Sequence, residues 1–350
     1  MITVIAVLSV FSIVVVIHEF GHFLLCKLLG VRVECFSIGF GKEVFGFDWK
    51  GTRWSFSLLP LGGYVKPAGE DIEETTGAPD EFFGQSWFRR VLIALAGPVM
   101  NYILAIICFF TLMFFWGQAQ PSSDPIIGEV VVGYPAQAAG LREGDRLLAI
   151  NGTHVNSWEE AANEIHAHPE KAIDIRFQRQ TDEGMSDKII ALVPKKDATR
   201  GVGLVGISPT VTMVPQNFQT SWSIALNQTM FWTVFTLKYL GESIIKRRKP
   251  ELAGPIGIVS IVAKVAKQGF HELLGLIALI SLSLGLFNLF PIPLLDGGHI
   301  FIYILEGIFR KPLNKVAVRT ANIIGATFLL AIFIFATTQD IGRLQSTFWK

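Results

Sequence analysis

His18, Glu19 and His22 stand inside a long apolar run, where ionisable side chains are costly and by default mark function. Histidines four residues apart share one face of a helix, so both imidazoles can reach a single metal ion. The glutamate beside the first histidine is placed to reach a water on that ion. Two nitrogen ligands and an adjacent base suit zinc-assisted hydrolysis, which needs a third protein ligand and one open position. Asp296 and His299, in NLFPIPLLDGGH at 288–299, are the candidates for that ligand. The plain alternatives are interfacial histidines near a helix end and, for Asp296, a helix cap facing water.

These residues need a frame within a membrane, and the composition supplies one. The chain has 350 residues, of which 51% are hydrophobic and 17% charged, and its mean hydropathy is +0.46. That is far more apolar than an average soluble domain. A net charge of +1 gives no ground for a nucleic-acid partner. Cys26, Cys35 and Cys108 suggest neither a disulfide framework nor a cysteine zinc site. Apolar runs at 2–29, 91–116, 273–295 and 323–336 with its flanks are each long enough to cross a bilayer. The first lacks a basic residue before Lys27 and a small-residue cleavage site, so it is read as a retained span.

Orientation follows from the basic residues. Lys27, Arg32, Lys42, Lys50, Arg53, Lys66, Arg89 and Arg90 follow the first span, and Arg310, Lys311, Lys315 and Arg319 precede the fourth. Both loops are expected in the cytoplasm, with the termini and residues 117–271 outside. The outer segment carries GYPAQAAGLREGDRLLAINGTHV at 133–155, which resembles a PDZ domain, expected over 121–210. Such domains bind extended peptides at a sheet edge; the alternative is a small spacer between two membrane halves. GVGLVGI at 201–207 weakly resembles a carboxylate-binding loop.

Alternation at 36–47 and 52–59, separated by DWKG, predicts a β-hairpin in the 30–90 region, near the histidines. EDIEETTGAPDE at 70–81 reads as a solvated loop. Residues 221–249 are apolar but interrupted by Asn227, Gln228, Lys238 and Glu242. They predict an amphipathic helix on the outer membrane face, anchored by Trp222 and Trp232 and closed by a basic run that ends at Lys249.

Together these pieces resemble the site-2 protease family, in the bacterial regulator-of-sigma-E protease type. The motifs are HEFGH (18–22), GFG (39–41), LLPLGGYVK (58–66), AGPVMN (96–101), the PDZ stretch, GPIGI (254–258) and NLFPIPLLDGG (288–298). The resemblance implies an α-helical membrane protein with four transmembrane helices at 1–29, 91–116, 271–295 and 318–338. A membrane-associated β-hairpin lies on the cytoplasmic side, and a single PDZ domain is inserted outside. It implies a zinc protease that cuts transmembrane segments of single-span proteins after a first trimming cleavage. Its setting is the bacterial inner membrane, its partners the lipid bilayer and membrane-spanning substrates. It selects Asp296 over His299, giving His18, His22 and Asp296 as zinc ligands and Glu19 as base. Asn288, Pro291 and Pro293 match the motif that contacts the substrate strand.

Two rival functions are a non-catalytic metal-binding scaffold and a transporter. A scaffold has no need of Glu19, and a transporter would show a repeated pair of broken helices where this sequence shows one.

Overall fold

The structure, a computed structural model, describes residues 2–71, 75–181, 184–197, 201–246, 253–311 and 314–348. The chain forms two compact units, Met1–Phe115 with Asn217–Lys350, and Trp116–Gln216. In the first unit, α1 (Ile2–Leu28) is apolar all round until His18, the pattern of a helix surrounded by lipid and protein rather than water. Two strands follow, β1 (Val33–Trp49) and β2 (Thr52–Pro67). They turn through Lys50 and Gly51, both at positive φ (47° and 72°), the geometry of a two-residue hairpin turn.

Both strands outrun the expected 36–47 and 52–59. Gly39 and Gly41 (φ 95° and 89°) bend the ribbon without ending it, as bulge glycines do. The register then folds the hairpin over on itself. Phe36 pairs with Val65 on one side and Trp54 on the other, and Trp54 pairs in turn with Phe47. Residues 63–66 thus become an edge that lies against α1. Helix α2 (Trp87–Phe115), with Pro98 inside it, completes this half.

The second unit is β-rich. It contains β3 (Gln118–Pro121), β4 (Ile127–Val130), α3 (Pro135–Ala138), β5 (Arg146–Ile150) and β6 (Thr153–His154). It continues with α4 (Trp158–His166), β7 (Ile173–Thr181), β8 (Gly184–Leu192), β9 (Lys195–Lys196), β10 (Gly203–Leu204), β11 (Ile207–Pro209) and β12 (Val211–Val214). The main sheet runs β6-β5-β7-β8, and β11 pairs with β4. Ile127, Leu147, Ile150, Ile173, Ile175 and Phe177 fill its core. Asp145, of the GD pair in the 133–155 stretch, is buried and held by the Arg179 guanidinium at 2.6 Å. Strands β3 and β12 pair Gln118 with Val214, so the chain enters and leaves this unit side by side. A cavity of about 330 Å³ lies between α4 and residues 203–207, lined by Tyr134, Trp158, Ile165 and Gly206.

The first unit resumes with α5 (Phe218–Ile245), α6 (Pro255–Val265), α7 (Phe270–Asn288), α8 (Asp296–Phe309) and α9 (Lys315–Phe348). Among the described residues, four helical segments are long and apolar enough to cross a membrane: Val4–Leu28, Trp87–Phe115, Phe270–Asn288 and Lys315–Arg343. Val10 and Val14 of α1, Ala105 and Cys108 of α2, Val262 of α6, and Ala278 and Leu282 of α7 share one buried cluster. Asp340 of α9 accepts from the backbone N–H groups of Gly254 (3.1 Å) and Gly257 (2.8 Å), tying α9 to the start of α6.

Two elements differ from the sequence reading. The run expected to reach residue 295 stops at Asn288. Pro291 and Pro293 bring no backbone N–H to continue a helix, Leu294 turns left-handed (φ 81°), and Asp296 opens α8 instead of closing α7. Helix α5, expected as an amphipathic helix over 221–249, begins earlier, at Phe218, and packs lengthwise on α2. Phe218 meets Phe110 and Phe114, Trp222 meets Phe110, and the Thr233 hydroxyl reaches the Tyr102 hydroxyl at 3.4 Å. As α5 runs forward the contacts move backward along α2, so the two helices are antiparallel neighbours. The threonines that look polar in sequence are satisfied within the helix. Thr229 donates to the Ala225 carbonyl (2.9 Å) and Thr233 to that of Thr229 (2.8 Å). The basic end expected at 247–249 lies outside the described residues.

Candidate active site

The site begins where α1 and α2 nearly touch. A Cβ on Gly21 would collide with the Ala96 carbonyl, and one on Gly97 would collide with the His22 and His18 rings. Only glycine at both points lets α1 and its two imidazoles come this close to α2. His22 donates Nδ1–H to the Ile93 carbonyl at 2.8 Å, which turns its Nε2 inward to within 3.3 Å of His18 Nε2. The His18 ring in turn lies against Asn101.

Asp296 arrives from the far end of the chain, on the first turn of α8. Its position depends on the two glycines after it. A Cβ on Gly297 would strike the Leu289 and Phe290 carbonyls, and one on Gly298 the Ile292 carbonyl. The loop can therefore fold back tightly over the helix start. Asp296 Oδ2 comes to 3.1 Å from His18 Nε2, and Oδ1 to 3.5 Å from His22 Nε2. Among the described residues, Oδ2 is buried without an aligned hydrogen-bond donor.

The ligand atoms of the three residues lie within 4.8 Å of one another. A tetrahedral zinc ion with bonds of about 2.0–2.1 Å sets its ligand atoms about 3.3 Å apart; here the two Nε2 atoms are 3.3 Å apart, and each lies 3.1 or 3.5 Å from one of the Asp296 oxygens. One carboxylate with a spare oxygen and two inward imidazole nitrogens is a donor set that fits zinc.

Glu19 lines the same cavity, of about 1100 Å³, as His18, His22, Asn288 and Asp296. Its Oε2 accepts from the Val65 backbone N–H of β2 at 3.2 Å. The Asn288 amide lies 3.5 Å from His18 Nε2. Pro291 is exposed, and Pro293 backs onto α9, where a Cβ on Gly325 would meet its carbonyl. Neither proline lines the cavity. His299 lines it but stacks on Tyr303, with centroids 6.1 Å apart, and stands outside the metal-capable group. Away from the metal-capable residues the cavity is lined by Lys66, Glu70, Lys315 and Arg319.

Sequence reasoning gave no role to Gly21, Gly97, Asn101 or the Val65 N–H. The signal for two of them was the AGPVMN motif, whose small residues and buried asparagine mark the α1–α2 contact.

The Peptidase family M50 profile matches residues 6–332. The chain belongs to Peptidase family M50. This is the site-2 protease family, and its members of this type are zinc metalloproteases. The chain is 34% identical over 340 residues to a candidate zinc metalloprotease of Clostridium acetobutylicum, covering 97% of this chain and 96% of that one. It is 35% identical over 364 residues to another from Rickettsia conorii, covering 99% and 100%. The zinc metalloprotease RasP of Geobacillus kaustophilus is 28% identical over 421 residues, covering 97% and 98%. Among solved structures, the PDZ domain of an SdrC-like protein from Listeria monocytogenes matches 26% of this chain and 92% of its own, at 18% identity and TM-score 0.22. The M50 chain described here is thus a membrane metalloprotease whose cofactor is zinc.

Proposed function

We propose that this M50 protease hydrolyses peptide bonds within transmembrane segments of single-span proteins, after a first cleavage has trimmed their outer domains. The observation that carries this reading is the meeting of His18 and His22, deep in a candidate span, with Asp296 from α8. In this reading His18, His22 and Asp296 hold the zinc, which when bound supplies a Lewis acid for the scissile carbonyl and the attacking water. Glu19 takes the proton from that water and returns it to the leaving amine. Its hydrogen bond from Val65 keeps one oxygen fixed while the other works. The Asn288 amide holds an unwound substrate carbonyl, and the 63–66 edge of the hairpin pairs with the extended strand. Pro291 and Pro293 shape the loop that presents Asn288 and Asp296.

The distribution of basic residues supports a setting in a bacterial inner membrane, with the hairpin and the 310–319 segment on the cytoplasmic side and a PDZ domain outside. Co-expression of wild type or Glu19→Gln with candidate single-span proteins tests the proposal. Fragments made only by the wild type support it, and identical fragment patterns for every candidate would sink it.

A further inference from the structure

Ile93, Gly97 and Asn101 stand four residues apart along α2 and so share one face, opposite His22 and His18 on α1. The Ile93 carbonyl fixes His22, and Gly97 leaves room for both rings. Asn101 is the third member, fully buried, with its amide Nδ2 at 3.3 Å from His18 Nδ1. Its backbone carbonyl accepts from the Ser281 hydroxyl at 2.9 Å, which ties the main chain at Asn101 to α7. Its Oδ1 is buried and has no hydrogen-bond partner among the described residues.

A neutral imidazole carries one proton. If His18 turns the lone pair of Nε2 toward Asp296 and His22, its proton sits on Nδ1 and needs an acceptor. The two ends of an amide have the same shape, and turning it over brings Oδ1 against Nδ1–H. One rotation therefore pairs the oxygen with the imidazole N–H and moves the amide NH2 to the position the oxygen held.

We infer that Asn101 is a positioning residue: its amide oxygen accepts Nδ1–H of His18 and so holds Nε2 deprotonated and aimed at the metal. The α2 face then locks both ligating imidazoles in the same tautomer, one by a main-chain carbonyl and one by a side-chain amide. The inference deepens the proposed ligand role of His18 and rests on it. Outer partners of this kind typically contribute 10–100-fold to metal affinity.

The test is zinc retention by the full-length protein in detergent, titrated with a competing chelator, for wild type, Asn101→Leu, Asn101→Asp and His18→Ala. Leucine keeps the volume and removes the acceptor, and aspartate keeps the acceptor and removes the donor. The expected result is zinc affinity about 10–100-fold weaker for Asn101→Leu and within a few-fold of wild type for Asn101→Asp. A merely structural asparagine would not be rescued by aspartate. Equal loss in both variants overturns the inference, as does full retention by Asn101→Leu. Should Asn101→Leu not fold, Asn101→Asp decides alone, and a loss of tenfold or more overturns the inference. If His18→Ala retains zinc like wild type, the ligand reading itself fails. If His18→Ala loses zinc and Asn101→Leu keeps it, only the role of Asn101 fails.

Discussion

The backbone N–H of Val65 donates to Oε2 of Glu19 at 3.2 Å, joining the edge of the β1–β2 hairpin to the carboxylate beside the paired histidines. Glu19 is thus oriented by a strand and not by its own helix. If Glu19 is the base, the hairpin edge sets its aim. Val65→Pro removes this donor at an edge position, where proline is tolerated. Cleavage is expected to fall by about 10–100-fold with zinc content unchanged, since general-base catalysis is worth about 10²–10⁴ and depends on aim. Wild-type rates with an intact hairpin would detach the strand from the chemistry.

Arg90 and Glu306 form a buried pair at 2.8 Å, with the guanidinium between the rings of Phe83 and Tyr303. The pair clamps α8, which begins at Asp296, to the start of α2. Glu306→Leu leaves a buried unpaired charge and is expected to cost about 3–5 kcal/mol, while Arg90→Met with Glu306→Leu lies close to wild type. Thermal unfolding with zinc retention checks both. Equal destabilisation of the single and double variants would show that the pair is not the clamp.

Glu81 gathers the loop after β2. Its carboxylate accepts from the Thr75 hydroxyl (2.8 Å), from the hydroxyl and N–H of Thr76 (2.9 and 2.8 Å) and from the Gly77 N–H (2.9 Å). These bonds, that from Thr75 foremost, hold its carboxyl down to about 2, from 4.5. A carboxyl lowered by folding stabilises fully above its unfolded value and loses that contribution as pH falls through the folded one. The loop at 75–85 is expected to keep its protection from proteolysis at pH 5 and to lose it progressively toward pH 2. Glu81→Gln should lose protection at all pH values. Protection unchanged in acid, in wild type, would contradict this.

The sequence made some of this legible and hid the rest for physical reasons. His18, Glu19 and His22 are readable because charge inside a span is costly. Asp296 is readable only through resemblance, since nothing local says that the end of an apolar run returns to α1. The hairpin is visible by alternation, but its fold-over depends on glycines that look like strand ends. Residues 70–81 look solvated, yet Glu81 is buried because the loop supplies its own donors. The path of α5 along α2 is hidden because Asn227, Gln228, Lys238 and Glu242 interrupt its apolar run. Gly97 and Asn101 stand in the AGPVMN motif, but their roles show only with the partners they meet.

The β-rich unit is expected to act by excluding bulky outer domains. Because β3 and β12 pair at its root, excision of residues 118–214 with a short flexible joint removes it without leaving a frayed strand. The excised protein is expected to bind zinc like wild type and to cut untrimmed single-span substrates that wild type leaves intact. If it still cuts only trimmed substrates, selection for trimmed substrates lies elsewhere, with α5 the next element to test.

The central claim is that Asp296 completes a zinc site that Glu19 serves as base. Metal analysis of chelator-washed wild type, Glu19→Gln and Asp296→Ala, paired with a cleavage assay on one single-span substrate, tests it directly. The account predicts that Glu19→Gln retains zinc and cuts nothing, while Asp296→Ala loses both zinc and cleavage. Asp296→Ala holding zinc as tightly as wild type would contradict the account and pass the third ligand to His299. Cleavage by Glu19→Gln at the wild-type rate would contradict it equally.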